Sequence, residues 1–364
     1  MALNLTNEEI KLFIERITGN KDFLYIIQPY SIASVIISGG LSHAVQARKN
    51  KIAAVLIVGD VIKNLGLTWK NIADIKYFPS DMMSMIDKYF IETQEWEGEN
   101  YIYGNFHQEI KKTDENSDSD KSEPPSDDDT AKVKNDVEKV DDKDSDANNM
   151  FLEKLTLIDQ FKQKVFDLPL DTEFVYPSFE KISDDNAAAL NEKYILDKDR
   201  TIIFCPYFDF MPITNIIFWN DVVKSLKGKG YRFYTYVQSR RQITLEGTLP
   251  LKVDFAELKY ISDKIKCFVG IRNGTFDFLA MTDAKIFCVD AFPSWNQDLN
   301  IVYPNCHART FYDTTGIIRA IRNFLADSNT GAKFTLHHEK INDADIFYTQ
   351  KSILNALTDA VQKD

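Results

Sequence analysis

The run Phe268-Val269-Gly270-Ile271-Arg272-Asn273-Gly274-Thr275-Phe276-Asp277 carries the strongest chemical signal in the chain. It reads as a buried strand, a glycine turn and the start of a helix. The unpaired backbone N–H groups and positive dipole end of such a junction suit an anionic group such as a diphosphate. Arg272 adds a guanidinium capable of a bidentate contact. The bland alternative is an ordinary strand-to-helix turn with an N-cap.

Two further turns are candidates. Leu245-Glu246-Gly247-Thr248-Leu249-Pro250 follows a strand ending at Val237 and precedes a helix, which predicts that it shares an edge with the Arg272 turn. With Gln238, Arg240 and Arg241 it would hold a base and ribose; its alternative is a solvated loop. The loop Pro206 to Asn215 follows another strand, where a parallel sheet presents ligands, and offers Thr214 or Asn215 as cap of the next helix. Its aromatics would otherwise pack between domains.

Metal and nucleophile chemistry find little support. His43, His107, His307, His337 and His338 form no HExxH, and the adjacent His337 and His338 cannot share one helix face. Two DxD triplets, Asp118 to Asp120 and Asp144 to Asp146, lie inside a charged stretch rather than at a strand end. The absence of GxSxG, a P-loop and a complete GxGxxG argues against a serine hydrolase, a P-loop NTPase and a standard dinucleotide oxidoreductase. Cys205, Cys267, Cys288 and Cys306 show no CxxC spacing, and three sit in or beside apolar runs where a thiol simply packs. Neither disulfides nor structural zinc are expected.

Turns of this kind need parallel sheets behind them, and 364 residues are enough for two core-forming domains. Residues 23 to 58 read as one β-α-β unit. Phe23 to Ile27 is an apolar run of the kind buried on both faces of a parallel sheet, Gln28 to Ser34 a polar turn, Val35 to Ala47 a helix, and Ile52 to Val58 the next strand. Weaker patterning continues beyond it, with a short strand at Ile75 to Phe78 and aromatic loops around Tyr101 to Phe106. A helix is expected from Met150 to about Phe166. The second series begins at Arg200: strands over 201–205, 231–237, 266–270 and 285–289 alternate with helices over 215–226, 255–262 and from 274. The fold class is therefore α/β, with two Rossmann-like lobes facing a cleft.

The net charge of −12 is uneven, since Lys111 to Met150 holds 14 Asp or Glu against 7 Lys. Residues 113–149 are expected to be a disordered acidic insertion. It divides a first lobe, 1–112, from a connector, 150–199, a second lobe, 200–330, and a helical tail, 331–364, packing back on the first lobe. Nothing concentrates Lys and Arg into a nucleic-acid footprint. The N-terminus, 1–19, has acidic and apolar residues at helical spacing rather than a signal-peptide pattern, and no apolar run approaches about 18 residues. A cytoplasmic protein with at most peripheral contact at the inner membrane face is expected.

In the order of these elements the chain resembles GT-B glycosyltransferases, in particular the heptosyltransferase-like group of bacterial glycan synthesis. The resemblance runs through Phe23 to Ala44, Ile202 to Cys205, the Trp219-centred helix, the Gly230 strand, the Glu246-Gly247-Thr248 turn and the Ile271 to Ala280 turn-helix, about 200 residues in all. It implies sugar transfer from a nucleotide-sugar to a glycan, lipid-linked or protein acceptor, inverting and metal-independent, with no cofactor. Arg272, Asn273, Gly274 and Thr275 would hold the diphosphate, with Asp277 beside them. Gly247, Thr248, Gln238, Thr214 and Asn215 would complete the donor site, while Ser31 and Ser34 would face the acceptor. A partner glycosyltransferase or a second copy of the chain would be the protein partner.

Two departures matter. The group's first-loop Gly-Asp is here Ala33-Ser34, and a serine of ordinary pKa cannot replace a carboxylate base unaided. His107, Asp81 and Asp60 then become the candidate bases. Arg272-Asn273 replaces an acidic residue and Thr, and Asp277 replaces a His, which points from ADP-heptose toward a UDP- or GDP-sugar. Two other readings stay open: a nucleotide-sugar epimerase of the same architecture, and a catalytically silent subunit that binds glycan or a partner enzyme.

Overall fold

The computed structural model describes residues 5–28, 31–62, 64–104, 155–207, 216–228, 230–239, 242–289 and 298–311. The predicted insertion at 113–149 and tail at 331–364 lie outside the described residues.

The first lobe opens with helix α1 (Asn7–Ile17), started by a Thr6–Glu9 capping box that satisfies backbone donors at its N-terminus. Ile10 and Ile14, one helical turn apart, bury its inner face. Strand β1 (Phe23–Gln28), helix α2 (Ile32–Arg48) and strand β2 (Ala53–Gly59) form the expected β-α-β unit. Leu24 to Ile27 and Ala54 to Val58 are buried without alternation, the signature of strands covered on both faces. Each such Leu, Ile or Val contributes roughly 1.5–3 kcal/mol of hydrophobic stabilisation. Strand β3 (Leu67–Thr68), strand β4 (Ile72–Phe78), helix α3 (Ser80–Thr93) and strand β5 (Tyr101–Tyr103) come next. The sheet order is β4-β2-β1-β5, parallel throughout.

Tyr101 to Tyr103, expected as an aromatic loop, is thus a strand, paired through Ile102 with Ile26. Three residues are too few to display a period, and the pairing is decided by β1 seventy-odd positions upstream.

In the connector the expected helix appears, among the described residues, as α4 (Leu157–Gln160) running into a π turn at Phe161–Val165. That turn buries both Phe161 and Phe166, and Lys162 is satisfied by Asp159 and the Leu170 carbonyl. Strand β6 (Ser178–Phe179) pairs antiparallel with β3, and helix α5 (Asp184–Lys193) leads to the second lobe.

That lobe comprises β7 (Thr201–Cys205), α6 (Ile216–Leu226), β8 (Arg232–Tyr236), β9 (Leu249–Leu251), α7 (Phe255–Ser262), β10 (Cys267–Ile271), α8 (Gly274–Leu279), β11 (Lys285–Val289), α9 (Leu299–Val302) and β12 (His307–Phe311). Its order is β12-β11-β10-β7-β8-β9, again all parallel. Gly270 lets β10 close on β7, because a Cβ there would collide with the Cys205 carbonyl. All four cysteines are buried thiols.

The lobes share one apolar core in which α2 packs on α8. Phe278 of α8 meets Phe179 of the connector edge-on (ring centroids 5.8 Å) and Phe255 of α7 at a tilt (4.9 Å). The loop after β2 completes the junction: Asn64 donates its side-chain amide to Asp254 (3.1 Å), and its backbone carbonyl accepts from the Ala256 N–H (3.2 Å).

Candidate active site

In the second sheet the chain runs from β7 outward through β8 and β9, then returns through α7 to lay β10 on the other side of β7. Strand order reverses there, and the crevice outside the carboxyl ends of β7 and β10 is where open α/β sheets take ligands. Arg272, Asn273, Gly274 and Thr275 occupy that point. Asn273 is the N-cap of α8, its Oδ1 accepting from the Phe276 N–H at 3.2 Å. Its Nδ2 donates to the Tyr207 carbonyl at 2.5 Å, tying the loops after β10 and β7 together.

The Arg272 guanidinium donates from Nη2 to Asp277 Oδ1 at 3.1 Å, with the side chains only 10% and 7% exposed. Residues at i and i+5 meet here because Arg272 precedes the helix and its side chain folds over the first turn. Tyr303, fully buried, stands beside the pair. Burial and the Asp277 carboxylate push its phenol pKa well up, while Arg272 pulls it the other way. Gly274 and Thr275 are buried beneath the turn. Tyr303 carries no motif and only the sheet order brings it to the site, whereas Tyr207 belongs to the Pro206 to Asn215 loop that the sequence offered as a candidate, without being singled out in it.

The Gly247 turn does not share this edge. It precedes β9, and β9 runs parallel to β8 with Leu249 opposite Tyr234, so Gly247 and Thr248 lie where the strands begin. The expectation failed because the segment after it forms an edge strand before the helix, reversing the chain once more. Thr248 Oγ1 sits 2.6 Å from Thr235 Oγ1, Thr235 accepts from the Leu245 N–H, and the positive φ of Gly247 (82°) permits the bend. Gln238 does lie at the carboxyl end of β8, exposed, with its amide on the Tyr236 hydroxyl at 3.2 Å. Thr214, Asn215, Arg240, Arg241, His107 and both DxD triplets lie outside the described residues.

The first sheet also reverses at its first strand, between β1 and β5. Gln28 marks that point, 1% exposed, donating to Ser38 Oγ (2.6 Å) and to the Gly104 carbonyl. Ser31 caps α2, accepting from the Ser34 N–H at 3.3 Å, with Ser34 in the helix's first turn. Asp60, at the carboxyl end of β2, accepts from the Ser80 N–H (3.1 Å) and hydroxyl (2.6 Å), which anchors the start of α3. Asp81 is exposed on that helix's first turn. The carboxylates therefore differ in availability: Asp60 is engaged, Asp81 faces water.

No protein-family model matches the sequence, and no curated protein does either. Solved structures do match. The ADP-heptose LPS heptosyltransferase II of E. coli superposes with a TM-score of 0.51 at 10% identity, covering 84% of this chain and 99% of that one. A glycosyl transferase family 9 protein of Veillonella parvula gives 0.50 at 8% identity, covering 92% and 97%. The protein has a GT-B-like fold. At such identity the likeness is one of architecture, and it places the Arg272 junction of this GT-B-like chain in the second of two Rossmann-like lobes. Among the described residues no group of three or more His, Cys, Asp or Glu side chains is arranged to hold a metal ion, and no helix is long and apolar enough to cross a membrane.

Proposed function

We propose that the protein is a glycosyltransferase that binds a UDP- or GDP-sugar in its second lobe and delivers the sugar to a glycan, lipid-linked or protein acceptor held by the first. The observation that carries the reading is the Asn273–Tyr207 tie at the strand-order reversal, with the Arg272–Asp277 pair beside it. A rigid turn at that point is preorganised for a leaving group whose negative charge grows in the transition state. Asp277 fixes the guanidinium plane, so Arg272 loses little side-chain entropy on meeting a diphosphate. Asn273 meets the ligand with it, and the buried Gly274 and Thr275 form the floor of the cradle.

In inverting transfer the acceptor hydroxyl attacks the anomeric carbon as a base removes its proton, and the carbon–oxygen bond to the diphosphate breaks. Asp81 and His107 are the bases this reading retains, since Asp60 serves Ser80.

A thermal-shift screen with UDP, GDP, ADP, CMP and their sugars tests the donor, because a ligand bound only by the folded state raises the melting temperature. Free nucleoside diphosphate released in proportion to acceptor supports transfer. Interconversion of the nucleotide-sugar without acceptor would establish the epimerase instead, and no response to any nucleotide would leave the silent binding subunit.

A further inference from the structure

At the opposite edge of the second sheet, where its strands begin, a cavity of about 440 Å³ is lined by Arg200, Tyr231, Arg232, Gly230, Gly247 and Asp197 among others. That is the size of a small-metabolite site. Register accounts for its composition. Thr201 pairs with Arg232, so Arg200 and Arg232 stand at the mouths of neighbouring strands, and Gly247 closes the wall just ahead of β9.

Two glycines stand in the lining, Gly230 and Gly247, both with positive φ (76° and 82°), and a Cβ on Gly230 would meet nothing within 4 Å. The side chain of Lys227 lies against Gly247.

The charges here are not balanced internally. Among the described residues Arg200 makes no side-chain hydrogen bond or ion pair, and Arg232 donates from Nη1 to the Ile195 carbonyl at 3.0 Å rather than to an acid. The lining carboxylate, Asp197, accepts from the Asp199 N–H at 2.8 Å. Glu246, on the turn beside Gly247, is exposed. Burial raises the Tyr231 phenol pKa, and the positive charge of Arg200 opposes the rise. A lining that holds two arginines, a tyrosine and two glycines is complementary to a phosphate monoester or diphosphate attached to a carbon skeleton.

We propose that this cavity binds a phosphorylated small molecule, its phosphate on Arg200 and Arg232 and its carbon skeleton against Tyr231, at a site separate from the Arg272 turn. The site does not depend on the glycosyltransferase reading, since it lies at the other end of the strands.

Calorimetric titration of the full chain with inorganic pyrophosphate tests it. Arg200→Glu, at an exposed residue, should weaken binding at this site by about tenfold or more while leaving the melting temperature unchanged. Arg232→Gln should weaken it similarly, and raising the salt concentration should weaken it further. The double variant Arg272→Met/Asp277→Leu should retain it in full. Pyrophosphate binding that is indifferent to Arg200→Glu and Arg232→Gln, or that vanishes in the Arg272→Met/Asp277→Leu variant, would overturn the proposal, as would no binding at all at millimolar concentration.

Discussion

The side-chain amide of Asn273 donates to the Tyr207 carbonyl at 2.5 Å while its oxygen caps the helix that begins at Gly274. One residue thus joins the two loops at the reversal of strand order and starts the helix behind them. Asn273→Asp preserves the capping acceptor but removes the donor and sets a carboxylate against a carbonyl. It should cost about 1–3 kcal/mol in urea unfolding. Asn273→Ala loses both bonds and should cost about 1 kcal/mol more than the tie alone. An Asp variant as stable as the parent would mean that the tie does not form in solution.

Removing one partner of the Arg272–Asp277 pair leaves a charge buried without compensation. Arg272→Ala and Asp277→Ala should each destabilise by about 3–5 kcal/mol. The double variant Arg272→Met/Asp277→Leu should recover most of that loss, since apolar replacement of a buried pair is often neutral. If the proposed function is right, it should still fail to bind a nucleotide-sugar in the thermal-shift assay. Recovery of stability together with donor binding would strip Arg272 of its assigned role.

Gly39 and Gly40 let aromatic side chains seat on α2. A Cβ at Gly39 would stand 2.5 Å from the Trp69 ring, and one at Gly40 would overlap the Phe174 ring. The same contact carries hydrogen bonds from Trp69 Nε1 to the Val175 carbonyl (3.2 Å) and from the Val175 N–H to the Gly40 carbonyl (3.0 Å). Because rings rather than backbone are in the way, Gly39→Ala and Gly40→Ala should each cost about 1–3 kcal/mol of overpacking. The melting temperature would read this directly, and unchanged values would show the connector to be loosely docked.

The buried thiols should be inert. Burial pushes the pKa of Cys267 and Cys306 up to about 12 and that of Cys205 higher still, so at pH 8 almost no thiolate, the reactive form, is present. A thiol-reactive chromophore added to the native protein at pH 8 should label none of the four, and all four after denaturation. Raising the pH should speed labelling, because it moves toward these pKa values. Rapid labelling of a native thiol at pH 8 would contradict the burial.

Much of this molecule was legible because local composition decides it. Fully buried parallel strands need unbroken apolar runs, which is why Phe23 to Ile27, Thr201 to Cys205 and Lys285 to Val289 stand out as strands in the bare sequence. The strand-turn-helix junction at Arg272 is equally local, a glycine-bearing turn with Asn273 to cap the next helix. Strand order is different, because it is set by which faces cover one another across long separations. Nothing near Gly247 says that Leu249 to Leu251 join the sheet edge, so only the tertiary structure moves that turn away from Arg272 and beside Arg200 and Arg232. The approach of Tyr303 and the tie to Tyr207 likewise depend on packing between segments up to 66 residues apart, for which a linear pattern holds no signal.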